Sequence, residues 1–213
     1  MFICLSLSAI AQQPLFSVAT DLGLQRNIKK EQRYWAVGHT VHTHFHISKK
    51  EGLYAWIAYY SIGKFENNVT ASAKSTTTMP QQFNYVNKAE MRFKHLSVGW
   101  KHYFKGDPHL EEGWNLYGYG GFGLLMGRVI NTHSPSVDTS MYDPAVKSGR
   151  ANFKRLTLDL GLGWETPIGS SVYFYNEGRL WVPTTDYPSG HIFVNRRAPL
   201  VASLNFGVRI LFD

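Results

Sequence analysis

One cysteine, Cys4, occurs in the whole chain, and it falls within the first dozen residues. A disulfide framework is therefore excluded, as are the paired CxxC motifs of zinc ribbons and dithiol redox centres. Long apolar runs are missing as well. Nothing approaches the ~18 consecutive apolar residues that a membrane helix needs, and mean hydropathy is −0.23. A helical membrane protein is excluded on that ground. HExxH and a phosphate-cradling glycine loop are also absent, which removes the familiar signatures of zinc peptidases and nucleotide-binding enzymes. Acidic residues number 15 against 22 Lys and Arg, a formal net charge of +7. Along the sequence these cations are scattered rather than gathered on one helix or patch, which argues against nucleic acid as the partner.

What the chain does contain is aromatic residues, 15% of the total, together with 19 glycines and a repeated alternation of apolar and polar positions. The clearest case is the last stretch, 200–212 (LVASLNFGVRILF). Leu200, Ala202, Leu204, Phe206, Val208, Ile210 and Phe212 share one face, and Ser203, Asn205, Gly207 and Arg209 share the other. Strict period two over this length is long for a soluble strand and suits a tilted strand that crosses a bilayer, where ~9–11 residues span the hydrocarbon. Seven more segments of strand character precede it, at 15–25, 34–47, 53–65, 91–104, 114–129, 153–165 and 172–182. Both parities of 53–65 are apolar, so its facing stays open, and the glycines of LYGYGGFG blur the alternation in 114–129. Within 153–165, Leu156, Leu158, Leu160, Leu162 and Trp164 alternate cleanly with Thr157, Asp159, Gly161, Gly163 and Glu165.

The connections alternate too. Short turns follow the second, fourth and sixth segments, whereas long polar connections, 66–88, 131–150 and 183–197, follow the third, fifth and seventh. The first outer loop, 27–32, is the exception. Eight strands return both termini to one side. The predicted fold is therefore all-β: an eight-stranded antiparallel up-and-down transmembrane β-barrel, the sheet form that leaves no backbone edge unpaired in lipid. The competitor is a secreted lipocalin-type barrel, whose apolar face points inward around a ligand. The inward set here, Asp21, Lys101, Arg155, Asp159, Glu165, Glu177, Arg179 and Arg209, is too charged to line an apolar cavity.

Residues 1–11 read as a secretory leader, with Ala9-Ile10-Ala11 as a small-x-small cleavage site, and 12–213 as a single barrel domain. Removing the leader would take Cys4 with it and leave a mature chain without a thiol.

The leader, the eight segments, the glycine-rich fifth strand, FYNEGRLW in the seventh and the FGVRILF ending together resemble the small outer-membrane β-barrel family, the OmpA/OmpX-like and PorT-like group of Bacteroidetes type. The resemblance covers roughly residues 13–213 and rests on patterns rather than fixed motifs; the family usually ends on an aromatic residue, whereas here Phe212 is followed by Asp213. It implies a bacterial outer-membrane location. Outer-membrane lipid and lipopolysaccharide would surround the barrel, the barrel-assembly machinery would handle insertion, and protein partners in an envelope complex would meet the outer loops. Basic residues Lys29, Lys30, Arg33, Lys74, Lys147, Arg150, Arg196 and Arg197 fall in those loops, beside anionic headgroups.

Three constellations bear on chemistry. His42, His44 and His46 alternate onto the inward face of the second strand, with Asp21 on the neighbouring strand. His-x-His offers two nitrogens to one metal, but histidine is also an ordinary filler of a polar lumen, and the latter reading is favoured, so no cofactor is expected. The inward charges are an acid/base site or a salt-bridge ladder. An eight-stranded barrel is just wide enough for its side chains to fill, which favours the ladder. His133, Ser134, Ser136 and Asp138 lie close in sequence, and lipid A-modifying enzymes exist on this architecture; HSPSVD nevertheless lacks the His-x-Ser-Asn arrangement of the deacylases. A non-enzymatic structural or interaction module is the first choice, and a lipid A hydrolase or acyltransferase the second. The tryptophans Trp35, Trp56, Trp100, Trp114, Trp164 and Trp181 are expected in interface belts.

Overall fold

The structure is a computed structural model and describes residues 15–30, 32–185 and 198–212. The predicted leader, Cys4, Arg196, Arg197 and Asp213 lie outside the described residues. Among the described residues nine strands form in chain order: β1 Leu15–Asn27, β2 Trp35–His46, β3 Glu51–Ala73, β4 Gln82–Lys105, β5 Asn115–Ser134, β6 Tyr142–Asp143, β7 Gly149–Pro167, β8 Val172–Pro183 and β9 Val201–Phe212. Their pairings are antiparallel throughout. The sheet runs β2-β1-β9-β8-β7-β5-β4-β3 and closes by pairing β3 with β2, so eight strands make the predicted barrel; β6 is a two-residue addition to β3.

Alternation sets which side chains face out. Leu22, Val41, Ile57, Val98, Phe122, Leu156, Leu162, Phe206 and Ile210 stand exposed on the outer wall, while their strand neighbours Asp21, Thr40, Trp56, Ser97, Thr157, Asn205 and Arg209 are buried inside. At the rim carrying the short turns the outer wall becomes aromatic: Phe16, Phe45, Trp100, Phe104, Trp114, Trp164, Phe174 and Phe212 lie on or beside every strand there except β3. Phe16 packs on Phe45 and Phe212 with ring centroids 5.1 and 6.1 Å apart. Amphipathic rings settle at headgroup depth, which accounts for this ring. Trp35 marks the opposite rim, where the Arg26 guanidinium lies 4.7 Å over its indole. Trp56 and Trp181 break the expectation of tryptophan belts. Both are buried in the lumen and stacked 5.7 Å apart, because Trp56 shares parity with Tyr54 and Tyr60, and Trp181 with Arg179.

The wall is uneven in height. β4 has 24 residues and β1 has 13, roughly 80 Å against roughly 40 Å of strand at about 3.3 Å per residue. Much of what reads as loop in 66–88 is therefore strand, paired from Glu66↔Lys88 to Ser72↔Gln82, and only residues 74–81 turn. In 131–150, likewise, β5 continues to Ser134, β7 starts at Gly149, and β6 pairs Tyr142 and Asp143 with Ala73 and Ser72. One face of the β3 and β4 extensions carries only the small apolar set Val69, Ala71, Ala73, Phe83 and Tyr85 and the other is mostly polar, a weaker hydropathy signal than a membrane strand gives, since no greasy outer wall is needed above a bilayer.

The open facing of β3 has a physical cause. Pairing with β4 slips between Tyr60↔Phe93 and Gly63↔Met91, a bulge that puts one extra residue in β3. Tyr54, Trp56, Ala58 and Tyr60 point inward below it, and Phe65 and Ala71 do so above. Glycines supply width where large rings turn inward. A Cβ on Gly161 or Gly163 would stand 2.0 and 2.3 Å from the Tyr119 and Tyr117 rings.

Candidate functional site

Strands β1, β2, β8 and β9 bring the inward charges together at mid-height. Asp21 Oδ2 accepts a hydrogen bond from the Tyr175 hydroxyl at 3.0 Å and from Arg179 Nη2, while Oδ1 accepts from Asn205 Nδ2 at 2.8 Å. His42 Nε2 lies 2.7 Å from the same carboxylate. Arg179 also donates through Nε to Glu177 Oε1 at 2.5 Å and through Nη1 to Thr40 Oγ1 at 2.8 Å. Glu177 in turn accepts the Tyr117 and Tyr119 hydroxyls at 2.8 and 2.9 Å. Each ion of this cluster is thus paired and further hydrogen-bonded, the condition under which burying charge is tolerable.

A second cluster sits toward the short-turn rim. Arg209 forks onto Glu165 through Nε and Nη2 at 3.0 and 2.9 Å, and Lys101 lies 3.9 Å from the same carboxylate and 3.6 Å over the Tyr117 ring. The turn between β4 and β5 joins in. Pro108 O accepts from Arg209 Nη2 at 3.1 Å, and Asn115 Nδ2 bridges Asp107 O and Glu165 Oε1 at 2.8 Å each. Asp159 belongs to a third group, with His95 Nε2 3.3 Å from its Oδ2 and 2.9 Å from Thr157 Oγ1, held between Trp56 and Trp181. Arg155 is half-buried, with Nη1 donating to Lys154 O at 2.7 Å.

The three predicted histidines are buried and stack in a ladder, with ring centroids 5.7 Å (His42–His44) and 6.2 Å (His44–His46) apart and the rings nearly parallel. Their ends diverge: His42 meets Asp21, and His46 Nε2 meets Ser17 Oγ at 2.8 Å. Among the described residues no group of three or more His, Cys, Asp or Glu converges as a metal site.

Above the charged layers the lumen turns apolar. Tyr34, Phe65, Met91, Phe93, Leu125, Val129 and Phe153 pack there. Sequence reading by outward parity passed over this plug, as it did Thr40 and the inward tyrosines. Thr40 carried a parity signal, one position from Val41, whereas Phe65, Leu125 and Val129 fall in segments whose facing the alternation left open.

Beyond the barrel, β3, β4, β5 and β7 continue as a projecting sheet with a small core of its own, Ala71, Tyr85 and Tyr142, flanked by Val69, Phe83 and Val137. The Tyr85 hydroxyl donates to Val146 O at 3.3 Å and accepts from Val146 N at 3.2 Å, and Lys74 Nζ donates to Thr139 O at 2.6 Å. Residues 135–148 are thereby folded onto the sheet. The His133-Ser134-Ser136-Asp138 grouping does not assemble a relay: the His133 ring packs 4.5 Å from Tyr85, and Asp138 Oδ1 accepts the Ser140 amide and hydroxyl at 2.8 and 2.6 Å. Those two bonds hold the Asp138 carboxyl below its usual range, and burial lowers the His133 imidazole.

Solved structures share this architecture at low identity. Neisserial surface protein A aligns with a TM-score of 0.55 at 10% identity, covering 92% of this chain and 97% of that one. A major outer membrane protein from Thermus thermophilus aligns at 0.53 and 10%, covering 92% and 99%. Ail, the attachment invasion locus protein of Yersinia pestis, aligns at 0.52 and 10%, covering 93% and 99%. The fold is that of the small outer-membrane β-barrels. No family model matches the chain, and no curated protein matches it in sequence. Small outer-membrane barrels carry short periplasmic turns and longer external loops, so the aromatic rim is periplasmic and the projecting sheet is external.

Proposed function

We propose that this outer-membrane barrel is a non-enzymatic interaction module of the OmpA/OmpX-like and PorT-like kind, a subunit of a larger envelope complex that presents its external sheet to a protein partner. Outer-membrane lipid and lipopolysaccharide surround it, and the barrel-assembly machinery inserts it. One contrast carries the reading: the lumen is filled by buried side chains, ion-paired clusters below an apolar plug, whereas the external sheet has a core and an ordered loop of its own. A filled lumen offers no conduit. An ordered projection on a rigid scaffold is where recognition residues are commonly held.

A photo-crosslinking amino acid at Thr76 or Met141, both exposed at the external tip, tests this in native membranes. Discrete protein adducts from the tip, absent when the probe sits at Leu160 in the belt, are expected. Adducts from neither position, together with a changed lipid A acyl pattern on deleting the gene, would replace the proposal with the lipid A-modifying alternative.

A further inference from the structure

Cations scattered along the sequence become neighbours once the strands pair. Across five adjacent strands the register aligns His39↔Tyr59↔Lys94↔Met126↔Lys154, all on the outer wall. One step further from the periplasm, Arg92↔Arg128↔Asn152 continues the same surface. One step nearer to it, the row is wholly apolar: Val41↔Ile57↔Leu96↔Leu124↔Leu156. The boundary between belt and cations therefore follows one ladder line through five strands. Glu90 is the acidic neighbour of this surface, accepting from Arg92 Nη2 at 2.9 Å. Four cations against one carboxylate leave the patch positive.

The wall is concave on both sides of that line. A groove of about 1080 Å³ is lined by Tyr59, Arg92, Lys94, Arg128 and Lys154, and a second of about 580 Å³ by Val41, Leu96, Val98, Phe122 and Leu156. Ile57 borders both. A cationic hollow stacked on a greasy one, at the external rim, has the polarity of an amphiphile with an anionic head and acyl tails. Arg92 and Lys94, Arg128, and Lys154 stand on three consecutive strands and so spread over roughly 10 Å at about 4.8 Å per strand, wider than a single phosphate.

We propose that this face seats one phosphorylated lipid of the outer leaflet, with more than one phosphate held by Arg92, Lys94, Arg128 and Lys154 and an acyl chain along the groove below. The inference rests on the outer-membrane reading and adds to it a defined site and headgroup chemistry. Arg forks match phosphate geometry, and juxtamembrane cations attract anionic headgroups cumulatively.

The test uses the full chain reconstituted in nanodiscs, with lipid A bearing two phosphates as the probe and native mass spectrometry as the readout. Wild type should retain the probe at least about tenfold better than R92Q/K94Q/R128Q/K154Q, and better than it retains phosphatidylglycerol. K29Q/K74Q/K147Q, which removes charge from the loops, should retain it like wild type. Equal retention by the quadruple variant, or an equal loss in the loop variant, would overturn the site. Displacement of the probe by inorganic pyrophosphate alone would overturn the lipid as occupant. A wild-type chain that fails to enter bilayers would instead strike at the membrane reading beneath the proposal.

Discussion

The bilayer-spanning part and the external sheet are built from the same strands under opposite rules. Within the span, β3, β4, β5 and β7 put Ile57, Leu96, Phe122 and Leu160 outside and bury Trp56, His95, Leu125 and Asp159 inside. Above it the outer wall becomes polar, and a small apolar core joins Ala71 and Tyr85 of the sheet to Tyr142 of the 135–148 segment. Solvent decides the difference. Lipid requires a greasy exterior and complete backbone pairing, so the interior combines ion-paired clusters with an apolar plug, whereas water lets the projection be held by a small ordinary core.

Three substitutions separate the two regions. Arg179→Ala strands the Asp21 and Glu177 carboxylates in the lumen, and removing one partner of a buried pair costs about 3–5 kcal/mol. Urea unfolding in lipid vesicles should register that loss, and a change below about 1 kcal/mol would mean the network adds little to stability. Leu160→Arg places a charge on the lipid face near the middle of the span, where the expected cost is about 2–4 kcal/mol; the same assay should show it, and a neutral effect would move the belt elsewhere on the wall. Tyr85→Ala removes the centre of the external core without touching the span. Barrel unfolding should shift by under about 0.5 kcal/mol, while limited proteolysis should cut faster within residues 135–148, because local opening follows local contacts. A matching loss of barrel stability would show the two regions to be one cooperative unit.

The barrel was legible in the sequence because lipid enforces period two on every strand, and β9 and β7 carry it nearly unbroken. The inward set at Asp21, Lys101, Asp159, Glu165, Glu177, Arg179 and Arg209 could be read from the same parity, but its division into three clusters could not, since that depends on barrel stagger and on the turn at Asp107 and Pro108. Trp56 and Trp181 were misread as belt residues because the identity of a tryptophan says nothing about parity, and in β3 both parities were apolar. The external strands escaped notice for the opposite reason: with no lipid to face, Glu66, Asn68 and Thr70 alternate with only Asn67, Val69 and Ala71, too short and too weakly apolar a face to stand out. The cationic face is a product of register alone, as Lys94 and Lys154 lie 60 positions apart by number and meet only through Met126 of β5.

The filled lumen also bears on how many copies a cell can carry. Side chains buried across the lumen narrow any route between the strands, so extra copies would add little to envelope permeability. On the lipid-seat proposal, its density would then be set by membrane area and by the supply of lipids that fit its wall rather than by leakage of toxic compounds.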